Sequence, residues 1–216
     1  MSADPVFIAA WTAGGVAAGA AFAQSTHRLL TTGSVHNFLR TQVAATGLTA
    51  ALFAVLAFRL GPHFDLLPYS YLAAAGVAAS IVDIIEHRLP NDLLLPAYVV
   101  LAALFATSTI IDDADAPDLL RALAAAAALA AFHLALALTT RGGLGAGDVK
   151  LAGLLGMALG WHGWPTVITA TVLAWLSVAL FVTLRPTDRR TPDPATVPMG
   201  PFLLYGSLIA IILSHY

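Results

Sequence analysis

The sequence predicts an all-α fold, a polytopic membrane bundle of about eight transmembrane helices. Three observations carry that prediction. Hydrophobic residues make up 59% of the 216 and charged residues only 10%, with a mean hydropathy of +0.83, a balance that does not suit a soluble domain of this length. Charge-free runs approaching the roughly 20 residues that a helix needs to cross a bilayer recur along the chain, bounded by charges, prolines and glycines. The Lys and Arg residues between those runs fall mostly into alternate loops.

Each run has its own boundary signals. The first, 6–23, follows a start without a basic stretch and is not followed by a clear small-x-small cleavage site, so it reads as a retained span. The second, 42–58, lies between Arg40 and Arg59, and the third, 67–82, ends against Asp83. The fourth, 93–111, sits between Asp92 and Asp112. The fifth, 122–138, contains "RALAAAAALAAF", whose small side chains let helix backbones approach in lipid. The sixth, 151–161, is short and glycine-rich, and 167–184 and 199–214 complete the set. No long linker or low-complexity tail interrupts them, so residues 1–216 read as one membrane domain.

Charge sets the expected orientation. Arg28, Arg40, Arg88, Arg141, Lys150, Arg185, Arg189 and Arg190 fall in the odd-numbered loops, while the even-numbered loops hold Arg59, Arg121 and the acidic run 112–118, "DDADAPD". By the positive-inside rule the odd loops are cytoplasmic, and an even number of spans puts both termini outside. A net charge of -2 argues against a basic nucleic-acid surface, and the lack of cysteine excludes disulfides, thiolate metal sites and a cysteine nucleophile.

Two carboxylates stand out against this background. Asp83 ends the third run and Asp148 just precedes the sixth, inside "GLGAGDVKLAGLLG", so both sit at the cytoplasmic membrane edge. A carboxylate at such a depth is costly to keep charged and marks a functional site by default. At a helix start Asp148 could equally serve as a cap. Asp83 lacks that explanation, because a carboxylate near a helix C-terminus opposes the dipole. Two carboxyl groups held together favour a state with one proton between them, which suits peptide hydrolysis: one acts as base on a water and the other as acid on the carbonyl and the leaving nitrogen. That chemistry requires neither metal nor cofactor. Gly145 and Gly147 lack Cβ atoms, which would let an extended substrate backbone come close to Asp148 and let the loop adjust around it.

The segment "GAGDVKLAGLLGMALG" resembles the G-x-G-D motif and following helix of the type IV prepilin peptidases, a family of membrane aspartic proteases. "DIIEHRLPN", from Asp83, is similar to that family's first catalytic segment, with Leu89 and Pro90 six and seven residues on, followed by Asn91. "VPMGPFLLYGS" resembles its late P-x-G-P segment, and "GAAFAQSTHRLL" its N-terminal stretch. The resemblance implies that Asp83 and Asp148 form the catalytic dyad, with Gly145, Gly147, Lys150, Pro90 and Asn91 binding substrate or supporting the loops around it. It implies prepilin-like or pseudopilin precursors as substrates, cut between a short basic cytoplasmic leader and an apolar helix, in the plasma (inner) membrane. The family's cysteine-bearing domain has no counterpart here, because the loop from 24 to 41 is short and cysteine-free, and methyltransferase activity is therefore not expected.

Other residues carry two readings. If helix three continues, Asp83, Glu86 and His87 share a face, a pattern similar to an inverted zinc-protease motif. One His with carboxylates is a poor zinc set, so the pair reads rather as solvated or as tuning Asp83, and no metal is expected. Lys150 could lower the pKa of Asp148 or meet substrate, or simply snorkel. His133, in mid-span, reads as a hydrogen-bonded bundle histidine ahead of a proton relay. Gly153, Gly156 and Gly160 suit close packing of helix six. The competing function is a proton- or cation-coupled small transporter using the same aspartates. Transporters place such groups near the midplane on interrupted helices, often with internal repeats, and neither feature is evident.

Overall fold

The computed structural model describes residues 4–30, 38–111, 116–139, 144–184 and 197–214. Among these there are eight helices and no strand: α1 Pro5–Leu29, α2 Phe38–Leu60, α3 Leu66–Glu86, α4 Asn91–Ile111, α5 Ala116–Thr139, α6 Ala146–His162, α7 Trp164–Leu184 and α8 Gly200–Leu213. Six are long and apolar enough to cross a membrane, while α6, with 17 residues, and α8, with 14, are shorter. The fold is thus the expected all-α membrane bundle. Most helices run beyond the apolar runs that announce them, because a charged or glycine-rich turn can stay helical once it leaves hydrocarbon.

Consecutive helices pair, α1 with α2, α5 with α6 and α7 with α8, and α3 joins these pairs through contacts to α1, α2, α6 and α8 and also packs on α4. Burial ranks them in the same order of centrality. Within its most apolar window α3 is 78% buried, against 17% for α1 and α7. Lipid offers helices no hydrophobic reason to associate, so close backbone approach must supply the attraction. Glycine permits it on α6: a Cβ at Gly156 would stand 2.6 Å from the Ala125 carbonyl oxygen, and one at Gly160 2.5 Å from the Ala125 Cβ.

The two ends of the bundle differ in chemistry. At one end Trp161 Nε1 donates to Asp65 at 3.0 Å, and Arg121 donates from Nε to the Gly160 carbonyl at 2.7 Å and from Nη2 to that of Trp161. The guanidinium thereby meets orphan carbonyls at the C-terminus of α6, where a cation also suits the dipole. Tyr69, fully buried, stacks on His162 and sets its ring edge against Phe105. The other end gathers the C-terminus of α3 and the starts of α4, α6 and α8. Arg88 Nη2 also ties the end of α1 to it, donating to the Leu29 carbonyl at 2.9 Å. Arg28, Arg40, Arg88 and Lys150 belong to this end, and Arg59 and Arg121 to the opposite one. Arg141, Arg185, Arg189, Arg190 and most of the acidic run 112–118 lie outside the described residues.

Candidate active site

Asp83 and Asp148 converge on the end of the bundle where α4, α6 and α8 begin. Asp83 lies on the last turn of α3 and is 4% exposed, and Asp148 lies on the first turn of α6 and is 9% exposed. The two are near enough for the charge on Asp83 to act on the Asp148 carboxyl group.

Each carboxylate is oriented by a glycine backbone. Asp148 is not itself the cap of α6, because the helix starts at Ala146 with Gly145 as its N-cap, and Asp148 stands at the third helical position. From there Oδ2 reaches back to accept from the Gly145 N–H at 2.9 Å, while the Gly145 carbonyl accepts from the Asp148 N–H at 3.1 Å. This is half of a capping box, with glycine where a hydroxyl residue would ordinarily close the other half.

Asp83 resolves its conflict with the α3 dipole through a different helix. Its Oδ2 accepts from the Gly200 N–H at 2.8 Å, at the N-terminus of α8, whose unpaired N–H groups favour an anion. A Cβ on Gly200 would sit 2.9 Å from that oxygen and 3.4 Å from the Asp83 Cβ and Cγ, so the approach requires glycine. Sequence reading passed over Gly200 as a site residue, although the tetrapeptide Pro198-Met199-Gly200-Pro201 marked the place.

The supporting residues divide in two. Lys150 and Asn91 are brought together, Nζ donating to Oδ1 at 2.7 Å, which ties the first turn of α6 to the start of α4. The ammonium thus has a neutral partner on a neighbouring helix, and Tyr98 reinforces the joint by donating its hydroxyl to the Lys150 carbonyl at 2.7 Å. Pro90 serves the first turn of α4, its carbonyl accepting from the N–H groups of Leu93 and Leu94. Gly147 faces the α3–α4 connection, since a Cβ there would stand 2.7 Å from the Leu89 Cβ. The space beside Gly147 belongs to Leu89. The closest group to a Cβ at Gly145 would be Asp148 Oδ2, at 3.4 Å.

Of the three residues expected on one face, Asp83 and Glu86 keep it and His87 leaves it while staying close enough to act on the Asp83 carboxyl group. Helix α3 ends at Glu86 and His87 caps it in the left-handed region at φ 51, its N–H bonded to the Asp83 carbonyl at 2.9 Å. That reversal turns His87 off the helical face, and Glu86 pairs with Arg88. Among the described residues no three His, Asp or Glu side chains are gathered as a metal would need. His133 is buried in α5, with Nδ1 2.9 Å from the Leu129 carbonyl oxygen and the ring stacked at 6.1 Å on Trp175.

Against known proteins, no curated sequence and no solved structure matches the chain. The model of the type IV leader peptidase family matches residues 70–182, a stretch that contains both aspartates and ends before Gly200.

Proposed function

Because the chain belongs to the type IV leader peptidase family, we propose that it is an aspartic endopeptidase that removes the short basic leader from type IV pilin-like precursors. In this reading residues 1–216 act as one domain of the plasma (inner) membrane, Asp83 and Asp148 are the catalytic pair on its cytoplasmic side, and both termini lie outside. The observation that carries it is the pair itself: two buried carboxyl groups from separate helices, at one end of the bundle, each oriented by a glycine N–H. The edge position suits the substrate, because the junction between a polar leader and an inserted apolar helix waits at that depth.

The chemistry follows from one proton in the pair. The ionised carboxylate takes a proton from a water, whose oxygen attacks the scissile carbonyl carbon while the protonated carboxyl group donates to the carbonyl oxygen. Collapse of the tetrahedral adduct breaks the C–N bond: the proton first taken from water passes to the leaving nitrogen, and as the C=O re-forms the proton lent to its oxygen returns to the carboxylate that gave it, restoring the pair. Fixed backbone donors help, because their geometry is set by helix starts and requires no rearrangement during the reaction.

Co-expression with a pilin-like precursor tests the reading, with cleavage followed as a mobility shift. Wild type should cut, while Asp83→Asn and Asp148→Asn, which keep shape and remove acid and base, should insert in the membrane and accumulate full-length precursor. Cleavage by either variant at the wild-type rate would remove the dyad from the mechanism.

A further inference from the structure

The structure holds an open groove of about 730 Å3 between α2 and α8, with α3 as its floor. Helices α2 and α8 each pack on α3 but hardly meet one another, which leaves the groove open along its length. Thr41, Leu48 and Leu52 line one wall and Tyr205 and Ile212 the other. At 1.5 Å per residue, the stretch from first lining residue to last is about 18 Å on α2, Arg40 to Leu52, and about 16 Å on α8, Pro201 to Ile212, roughly half of a hydrocarbon core.

Two features distinguish this groove from an ordinary lipid-facing surface. It adjoins the candidate active site: its lining residues Ser80 and Ile84 flank Asp83 on α3, and Pro201 follows the Gly200 that donates to the Asp83 carboxylate. Its floor also carries an unsatisfied hydroxyl. Ser80 is 8% exposed, and its Oγ, covered by its neighbours, has no hydrogen-bond partner among the described residues, whereas Thr49, Ser108, Thr171 and Ser207 all bond back to the carbonyl four residues earlier. A hydroxyl left unpaired in a membrane bundle is costly, and a ligand with a polar backbone would satisfy it.

We propose that this groove docks the first three turns of the precursor's apolar helix, and that Ser80 donates to a backbone carbonyl of the substrate where it unwinds toward Asp83. The inference rests on the peptidase reading. A peptide must be extended to be cut, so the residues at the leader junction lose their helical hydrogen bonds at the membrane edge, and a donor one turn from Asp83 meets that need. The hydrocarbon tail of a lipid has no group for Ser80 to bond.

A photo-cross-linking residue placed at Leu48 or Tyr205 in the Asp148→Asn protein, with full-length tagged precursor in the membrane, reads the groove directly. Adducts with precursor are expected from both positions and not from Leu176, a control on α7 that is 61% exposed. Ala44 also lines the α2 wall, and Ala44→Trp, which fills the groove, should raise KM for the precursor about tenfold with little change in kcat. Ser80→Ala should raise KM severalfold, and Ser80→Thr should restore part of the loss. Equal adducts from position 176, or none from 48 and 205 while wild type cuts normally, would overturn the groove and leave the peptidase reading standing. Failure of the wild type to cut any precursor would overturn both.

Discussion

Gly200 and Asp83, 117 residues apart in the chain, meet through a 2.8 Å hydrogen bond from the start of α8 to the end of α3. Gly200→Ala keeps the donor but places a Cβ 2.9 Å from the carboxylate oxygen it serves. The carboxyl group must then move, and a displacement on the order of 1 Å at a reacting group costs about 100-fold in rate. Steady-state cleavage of precursor should show that loss in kcat, with the protein still inserted and folded.

The two aspartates should act as one unit. Asp83→Asn and Asp148→Asn should each lower cleavage by roughly 1,000-fold or more, the scale of acid and base catalysis. The double variant should be no worse than the poorer single one, because either change alone removes the shared proton machinery. Multiplying losses would show independent roles and contradict the dyad.

Gly147 should be limited by Leu89. Gly147→Ala sets its Cβ 2.7 Å from the Leu89 Cβ and 3.3 Å from the Leu89 N, so it should push the α3–α4 connection away from α6 and reduce cleavage by about tenfold or more. Leu89→Gly in the same chain removes the first obstacle and should return part of the activity. Rescue is the informative result, since loss alone would not identify the partner.

Helix α6 should reverse the usual effect of glycine replacement. Gly→Ala within a helix ordinarily gains about 1 kcal/mol of propensity. At Gly160 the added Cβ would lie 2.5 Å from the Ala125 Cβ and 2.9 Å from the Arg121 carbonyl oxygen, and overpacking of this kind costs about 1–3 kcal/mol. Gly160→Ala should therefore unfold at lower temperature than wild type in detergent.

The absence of cysteine gives a clean background for testing orientation. His63 and Asp92 are exposed at opposite ends of the bundle. In intact cells a membrane-impermeant maleimide should label His63→Cys and leave Asp92→Cys unlabelled until the inner membrane is opened. The reverse pattern would place the aspartates outside.

Much of the fold was legible because lipid imposes a simple rule: apolar runs of sufficient length, separated by polar breaks, become helices. Helix ends were less so. Hydropathy locates where hydrocarbon ends, but Asp148 lies inside α6, since a capped turn continues beyond the apolar run. Asp83 and Asp148 were readable as carboxylates in costly places, whereas their hydrogen-bond partners were not. The Gly200 contact joins segments that only packing brings together, and nothing local in "VPMGP" specifies what its N–H will meet. The placement of His87 was illegible for a related reason: a helical face extrapolated by spacing stops where a left-handed cap ends the helix, which no periodicity reports.

The donors that orient Asp83 and Asp148 are main-chain N–H groups of Gly200 and Gly145. Short of proline, no substitution at those positions deletes them, and changes elsewhere leave their chemistry intact. The groove beside Asp83 is built instead from side chains, each replaceable one at a time. With the precursor docked as proposed, substitutions along α2 and α8 would revise which precursor is accepted without touching the donors at Asp83 and Asp148, and a laboratory evolution of specificity would do best to begin there.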